Sequence, residues 1–286
     1  MFIKDLDFFC KNYKPISIDE LYEIVLENRK ITKPIFHLTF DDGLKQVYTD
    51  IAPILEKKGI PATFFINTSF IDNKDLFYRY KISLIIEHIK SIRIEALLSY
   101  FTQVFSKIIT NKNDIILELC KLDYFNQIMI DEIAVKLGIN FNDFLQKYQP
   151  YLKSSEIKTL MNKGFSFGSH SLDHPHFKNI STKEQQRQIT ESFFILSSQF
   201  GINNKYFSFP FSDKNVKISL FNWLYESEKC RLSFGISGLK NDVNKFHLHR
   251  IPIENTSSSA EKIIKTEYLY YLLKEFLNKN TIKRDA

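Results

Sequence analysis

The chain has 286 residues, of which 44% are hydrophobic and 25% charged, a composition that excludes a disordered or collagen-like protein. Its 39 basic and 33 acidic side chains leave a net charge of +6, which is too small and too dispersed to predict a nucleic-acid-binding protein. The basic pair Lys283-Arg284 is expected on the solvated surface. Three widely spaced cysteines argue against a disulfide framework.

The amino-terminal stretch does not resemble a secretory signal, because Asp5 and Asp7 interrupt it and no small-residue cleavage site follows. No apolar run is long enough to span a bilayer. We therefore expect a cytoplasmic protein without a transmembrane segment.

Hydrophobic periodicity predicts alternating helices and strands in the first quarter of the chain. A capping box of Ser17 and Glu20 marks the start of the first helix. The predicted elements are a helix at 17–29, a strand at 34–40, a helix at 46–58 and a strand at 62–67. The strand–helix–strand order indicates a βαβ unit and hence a parallel sheet.

Residues 75–150 differ from the rest, because helical periodicity runs through them with a single interior glycine. They predict an all-helical insertion, which is a candidate lid or dimer surface. Beyond it, the predicted elements are helices at 155–163, 181–201, 216–228 and 258–278, the last of them amphipathic, and strands at 165–167, 206–209, 232–236 and 246–251. We expect one α/β domain over 1–286 that contains the insertion.

Adjacent carboxylates follow the predicted strand at 34–40. Like charges raise each other's pKa, so Asp41 and Asp42 are costly to place together unless a bound cation offsets their repulsion. Neighbouring side chains of extended chain point in different directions, so one carboxylate can hold a metal while the other faces a substrate. The alternative is a βα turn in which an aspartate caps the next helix.

Three of the seven histidines lie within 168–176. A spacing of four residues places the imidazoles of His170 and His174 on one side of a helical turn or tight loop. Two imidazoles and one carboxylate leave coordination positions for water, as catalytic metal sites require. The pair therefore predicts a metal site together with the Asp-Asp turn, and zinc, cobalt, nickel and iron all suit these ligands.

Four segments together resemble the polysaccharide deacetylase family, which is carbohydrate esterase family four. The segments are 37–43 (His-Leu-Thr-Phe-Asp-Asp-Gly) with 59–65, 169–174 (Ser-His-Ser-Leu-Asp-His), 207–211 (Phe-Ser-Phe-Pro-Phe) and 249–253 (His-Arg-Ile-Pro-Ile). The last segment is similar to an ending found in members that act on surface-polysaccharide sugars. The resemblance covers about 30–67 and 155–253, and its first two motifs are the most specific.

The resemblance implies a distorted (β/α) barrel of about seven strands and a metal-dependent hydrolase, usually with zinc, that removes N-acetyl groups from amino sugars. It implies that Asp42, His170 and His174 hold the metal and that Asp41 is the general base. All four residues are predicted at the carboxyl ends of strands, where barrel active sites lie. For a protein expected in the cytoplasm, the expected substrate is a nucleotide- or lipid-linked amino sugar, or an oligosaccharide, used to make a bacterial surface polysaccharide.

Two motifs depart from the family pattern. A serine or a phenylalanine before Pro210 replaces an arginine that many members have, and Arg250 stands where an amine-protonating histidine is expected. We therefore expect Arg250 to orient Asp41 or to bind substrate. His247 or His249 is the alternative proton donor, although their alternation along the chain is equally typical of strand packing.

Phe209 and Phe211 either line a sugar subsite or pack in the core. Removal of another acyl group, such as N-formyl or O-acetyl, is a competing function. A non-catalytic sugar-binding or scaffold protein on the same fold is another. Asp41 argues against the scaffold, because a binding module has no use for a base beside its metal. A homo-oligomer is compatible with all of these functions.

Overall fold

The computed structural model describes residues 1–254, 258–277 and 279–285, and the chain forms two compact units. The first comprises Met1–Asp72 with Pro150–Ala286, and the second is Asn73–Gln149. The second unit overlaps the stretch for which the sequence predicts a helical insertion.

The described residues contain eight strands and twelve α-helices. The strands are β1 (Lys14–Pro15), β2 (Ile35–Phe36), β3 (Leu38–Phe40), β4 (Ala62–Ile66), β5 (Ser166–Ser169), β6 (Tyr206–Ser208), β7 (Leu232–Gly235) and β8 (His247–His249). The helices are α1 (Phe2–Asn12), α2 (Ile18–Leu26), α3 (Ala52–Lys58), α4 (Tyr78–Ser91), α5 (Leu98–Phe105), α6 (Lys112–Leu119), α7 (Gln127–Lys136), α8 (Phe141–Tyr148), α9 (Ser154–Asn162), α10 (Thr182–Phe200), α11 (Ile218–Glu226) and α12 (Ala260–Phe276).

Strands β3 to β8 form one sheet in chain order, and every neighbouring pair is parallel. Helices α3, α9, α10 and α11 lie in successive crossovers between these strands. Parallel strands in chain order with helical crossovers are the pattern of a (β/α) barrel. The expected α/β barrel class is confirmed, with six strands in the main sheet rather than about seven.

The predicted strand at 34–40 is two strands, because the chain changes partners at His37. β2 pairs with β1, whereas β3 pairs with β4 in the main sheet. The imidazole of His37 lies between the two sheets, with Nδ1 2.8 Å from the Ile16 carbonyl and Nε2 2.9 Å from Thr63 Oγ1. The sequence analysis missed α1 and β1, which pack and pair beside this break.

Local signals set the helix ends in the first unit. The hydroxyls of Ser17 and Ser181 accept hydrogen bonds from the backbone N–H groups three residues later, as N-caps do. Gly59 and Gly201 end α3 and α10 in the left-handed conformation, with φ of 64° and 70°. Both capped starts and both glycine stops agree with the predicted positions.

The core of the first unit lies between the main sheet and its helices. Phe64 and Ile66 of β4, Leu55 of α3 and Leu160 of α9 are all buried there. Each such side chain contributes about 1.5–3 kcal/mol on burial. The main sheet is therefore a rigid base for the residues that follow its strands.

Helix α12 does not show the amphipathic packing expected for the last helix. Ala260 and Ile264 are buried, but Leu269 and Phe276 in its second half are 61% and 88% exposed. Within the described residues, no helix is both long and apolar enough to cross a membrane.

The second unit contains α4 to α8. Its interior contains Ile85 and Ile89 of α4, Ile130 and Ile133 of α7, and the aromatic ring of Phe101, all fully buried. Lys81 of α4 is also buried, and its ammonium pairs with Asp75 at 3.1 Å and Asp131 at 3.0 Å.

Candidate metal and catalytic site

Polar residues follow the carboxyl ends of four strands of the main sheet. Asp41 follows β3, His170 follows β5, Ser208 ends β6 and Arg250 follows β8. Parallel strands bring these ends to one edge of the sheet. The side chains meet there although up to 209 residues of sequence separate them.

The three predicted metal ligands converge at this edge. Nε2 of His174 lies 3.1 Å from Nε2 of His170 and 3.1 Å from Oδ1 of Asp42. Nε2 of His170 lies 3.5 Å from the same carboxylate oxygen. Ligand atoms at about 2.0–2.1 Å from a tetrahedral zinc are about 3.3–3.4 Å apart, so this triangle fits one cation.

The surroundings of the triangle leave its donor atoms available to a cation. Nδ1 of His170 lies 2.8 Å from the carbonyl oxygen of Ser208, a contact that directs Nε2 toward the other two ligands. Burial lowers the pKa of His170, which favours the neutral imidazole that binds metals. Burial raises the pKa of Asp42, but hydrogen bonding to His174 and electrostatic attraction to both imidazoles together outweigh burial, so the pKa falls below its ordinary value.

Asp41 stands beside this triangle in a rigid clamp. Its Oδ2 is 3.9 Å from Nε2 of His170. Arg250 donates from Nη1 to Oδ1 and from Nη2 to Oδ2, each at 2.8 Å, and Ser208 Oγ lies 3.3 Å from Oδ2. Burial raises the pKa of Asp41, but attraction to His170 in its protonated form, the charge of Arg250, and hydrogen bonds from Arg250 and Ser208 together outweigh burial and lower the pKa to about 2.

The backbone around the site is unusual. Asp42, Ser171, His174 and Phe211 all have positive φ, between 57° and 72°, a region that side-chain-bearing residues rarely adopt and that concentrates at functional sites. Gly43 also has a positive φ of 67°, and an added Cβ would lie 2.9 Å from a methyl group of Ile66. The Asp-Asp-Gly turn therefore needs glycine for conformation and for space.

A narrow cleft of about 10 Å³, room for roughly one water-sized group, adjoins Asp42. The apolar side chains of Ile66, Ile71 and Leu152 line it. The cleft suits a small apolar group next to the predicted metal ligands.

Comparison with known proteins identifies the family of this chain. The family model for polysaccharide deacetylase matches residues 28–223, which is more than half of the chain. The chain belongs to the polysaccharide deacetylase family. This membership supports a hydrolase that removes acetyl groups from carbohydrate. No curated protein matches the sequence significantly.

Solved structures share the fold of this polysaccharide deacetylase at low identity. The deacetylase PplD of Streptococcus pyogenes in complex with acetate has a TM-score of 0.58 at 16% identity, covering 93% of this chain and 85% of that chain. The de-N-acetylase from Aggregatibacter actinomycetemcomitans has 0.54 at 12%, covering 93% and 86%. IcaB from Ammonifex degensii has 0.52 at 14%, also covering 93% and 86%.

The two aromatic candidates lie in different places. Phe211 is partly exposed, stacks on His176 with ring centroids 3.7 Å apart, and contacts the ring of His174 edge-on at 4.5 Å. Phe209 is only 1% exposed and packs in the core around α11. The sugar-subsite role expected for Phe209 does not fit this burial, whereas Phe211 lies on the wall of the site.

Neither candidate proton donor faces solvent. The side chains of His247 and His249 are 0% exposed, and their Nε2 atoms lie 3.2 Å from Asp213 and 3.1 Å from Asp242. The sequence analysis missed both aspartates. It was also wrong about Arg284, whose side chain is only 2% exposed and contacts both carboxylates, although Lys283 is exposed as expected.

Proposed function

We propose that this polysaccharide deacetylase is a metal-dependent hydrolase that removes the N-acetyl group from an amino sugar, a precursor of a bacterial surface polysaccharide. The observation behind the proposal is the convergence of Asp42, His170 and His174, with Asp41 held beside them. Four residues from two motifs that are distant in the sequence meet at the edge of the sheet formed by the carboxyl ends of its strands, where active sites of this fold lie.

Asp42, His170 and His174 would hold the ion. When bound, a divalent cation lowers the pKa of a water molecule and polarises an amide carbonyl. Zinc fits the two imidazoles and one carboxylate best, and cobalt, nickel and iron are accepted by the same donor set.

Asp41 is the general base in this proposal. Its carboxylate is ionised, lies at hydrogen-bonding distance from Arg250 and Ser208, and is placed beside the ligand triangle to accept the proton of an attacking water. The paired hydrogen bonds of Arg250 fix the plane of the carboxylate. Arg250 thereby supplies the positive charge that the third motif of this chain lacks.

The acyl group fits the cleft beside Asp42, because a methyl group would contact its apolar lining. Phe211 offers a partly exposed ring on the wall of the site, and aromatic rings of this kind pack against the apolar face of sugars. For a cytoplasmic enzyme, the substrate would be a nucleotide- or lipid-linked precursor rather than a finished polymer.

The decisive experiment incubates zinc-loaded protein with UDP-linked and lipid-linked N-acetyl amino sugars, N-acetylated oligosaccharides, and their N-formyl and O-acetyl counterparts. Mass spectrometry follows acyl release, with Asp41→Asn as the inactive control. We expect release from at least one N-acetyl sugar. Preferential release of formate or of O-acetyl groups would replace the acyl assignment. Sugar binding without any release would favour a scaffold and overturn the proposal.

A further inference from the structure

A second cluster of charged and polar side chains is buried close to the candidate site. It consists of Asp213, Asp242, His247, His249 and Arg284. Arg284 donates from Nη2 to Oδ2 of Asp213 and to Oδ2 of Asp242, each at 2.6 Å. Its Nε lies 3.1 Å from both oxygens of Asp242, and its Nη1 donates to the backbone carbonyl of Asp213 at 3.1 Å. The guanidinium carbon also lies 3.8 Å from the ring centroid of Phe221. Each of these groups, carboxylate, carbonyl or aromatic ring, favours a cation.

Two histidines complete the cluster. His247 and His249 contact the same carboxylate oxygens as Arg284 does. One ligand atom from each of Asp213, Asp242, His247 and His249 lies within 4.8 Å of all the others, a grouping that could hold a metal ion. In this chain the guanidinium of Arg284 lies among these atoms and is the cation of the cluster.

The cluster is joined to the candidate site by short lengths of chain. Asp213 is the last residue of the segment 208–213. The same segment includes Ser208, which lies beside Asp41, and Phe211, which lies beside His174. His249 directly precedes Arg250, the residue that clamps Asp41.

Gly235 connects the two sites most closely. A Cβ at this position would overlap the carboxylate of Asp213 and lie 2.7 Å from Nδ1 of His249. The carbonyl of Gly235 accepts the backbone N–H of Arg250 at 2.9 Å. A shift of the cluster would therefore be transmitted through β7 to Arg250.

The segment that contains Arg284 is itself attached to this region by backbone hydrogen bonds. Asn241 donates to the carbonyl of Asn280, and Ile282 donates to the carbonyl of Asn241, both at 2.9 Å. Ile218, the first residue of α11, donates to the carbonyl of Asp285 at 2.9 Å. Residues 279–285 are thus docked on both sides of the arginine.

We propose that Arg284 is a positioning residue. It is the built-in cation that holds the segment 208–213 and the end of β8 in place, and with them Phe211 and Arg250. Its effect on turnover rests on the proposed deacetylase function, whereas its effect on the cluster does not.

The activity test compares Arg284→Met with the double variant Asp242→Asn/Arg284→Met and with the exposed-neighbour control Lys283→Met. Arg284→Met leaves two buried carboxylates without their cation and is expected to be less stable. The double variant removes one of those charges and should recover much of the lost stability. At a temperature where circular dichroism shows all variants folded, we expect kcat about 10- to 100-fold lower in both Arg284 variants. KM and the metal content of the Asp42 site should change little, and added guanidinium ion should restore part of kcat in Arg284→Met.

A purely structural role gives the opposite pattern, in which kcat returns to the wild-type value as stability is recovered in the double variant. That result, or wild-type kcat in folded Arg284→Met, would overturn the proposal.

A second readout does not depend on deacetylation. Cobalt titration of the Asp42→Ala/His174→Gln background, which lacks the first metal site, should show no bound ion, because Arg284 already serves the second cluster. Adding Arg284→Met should create one cobalt site, with the visible absorption of a tetrahedral ion, and His249→Gln should remove it. Cobalt binding to the cluster while Arg284 is present would overturn the assignment of Arg284 as its cation. Inactivity of the wild type on every sugar, with this titration as expected, would fault only the proposed function.

Discussion

Two clusters within the described part of the chain are built around aspartate and histidine side chains, and they differ in how positive charge reaches them. In the first, Asp42, His170 and His174 form a triangle of candidate metal ligands with edges of 3.1–3.5 Å. In the second, Arg284 lies between two carboxylates that also contact two imidazoles. Histidine and aspartate side chains in proximity therefore predict that a cation is required. The rest of the sequence determines whether that cation is a bound metal ion or a basic side chain of the protein.

The two clusters also differ in solvent exposure. The side chain of Asp42 is 43% exposed, whereas the side chains of Asp213, Asp242, His247 and His249 are at most 2% exposed. The first cluster can exchange ions and substrates with solvent. The second is closed, which suits a structural charge network.

The largest expected effect comes from removing the carboxylate of the first cluster. Asp42→Ala should lose the bound ion and reduce kcat/KM by at least about 10³-fold, because the activated water and the polarised carbonyl both depend on that ion. Metal analysis of purified protein and acetate release measure the two effects. Asp50→Ala, an exposed carboxylate nearby, is the control. An Asp42→Ala protein that kept a full equivalent of metal would contradict the assignment of Asp42 as a metal ligand.

The next largest effect distinguishes the role of Arg250, which holds Asp41, from the role of the metal ligands. Arg250→Met should lower kcat by about 10²-fold while metal content stays the same, because Asp41 loses its paired hydrogen bonds but the ligand triangle is intact. Arg250→Lys should recover only part of the loss, since an ammonium cannot make two parallel hydrogen bonds. Steady-state kinetics of both variants, alongside metal analysis, check this expectation. Unchanged kcat in Arg250→Met would show that Asp41 needs no clamp.

A smaller effect tests the turn that presents the first cluster. Gly43→Ala should lower the free energy of unfolding by about 3 kcal/mol, because the left-handed conformation costs about 1–2 kcal/mol and contact with Ile66 adds to it. Urea denaturation measures the change. Gly138→Ala is the matched control, since that glycine has a similar φ of 70° but nothing within 4 Å of its added Cβ. Equal losses in the two variants would mean that space at Gly43 is not limiting.

The smallest effect is the pH dependence that the second cluster gives to the free energy of unfolding. Burial raises the pKa of Asp242, but hydrogen bonds from His249 and Arg284 outweigh it and lower the pKa from 3.8 to about 2. The unfolded chain therefore binds more protons in acid, so stability falls as the pH drops from about 4 to about 2. Over this pH range, the free energy of unfolding of Asp242→Asn should decrease by about 2 kcal/mol less than that of the wild type. Urea titrations across this pH range measure it, and identical slopes in the two proteins would contradict the assignment.

Much of the fold could be predicted because its signals are local. Ser17 and Ser181 cap helices three residues ahead, and Gly59 and Gly201 end them, so periodicity and capping located most elements of the first unit. Strand partners are not a local property. The change of partner at His37 depends on Ile16 and Thr63, which lie far along the chain, and a single apolar run gave no sign of it.

The first cluster was predictable because its ligands lie in two short motifs. Adjacent aspartates and a His-x3-His spacing are rare enough to mark a cation site, although their roles stay predictions until metal and activity are measured. The second cluster joins Asp213, Asp242 and Arg284, which no short spacing connects. The available signal was weak: an aspartate soon after the aromatic motif, and a second one five residues before the His-Leu-His strand.

The exposed carboxylate of Asp42 has a consequence for how the ion arrives. The two imidazoles are buried, whereas the Asp42 side chain is 43% exposed, so an ion would reach the triangle from the side of Asp42. A chelator should strip the protein without unfolding it, and reloading should be rapid. The ion present during turnover would then reflect which divalent metal the surroundings supply, and preparation in different media should yield enzymes of different activity from the same chain.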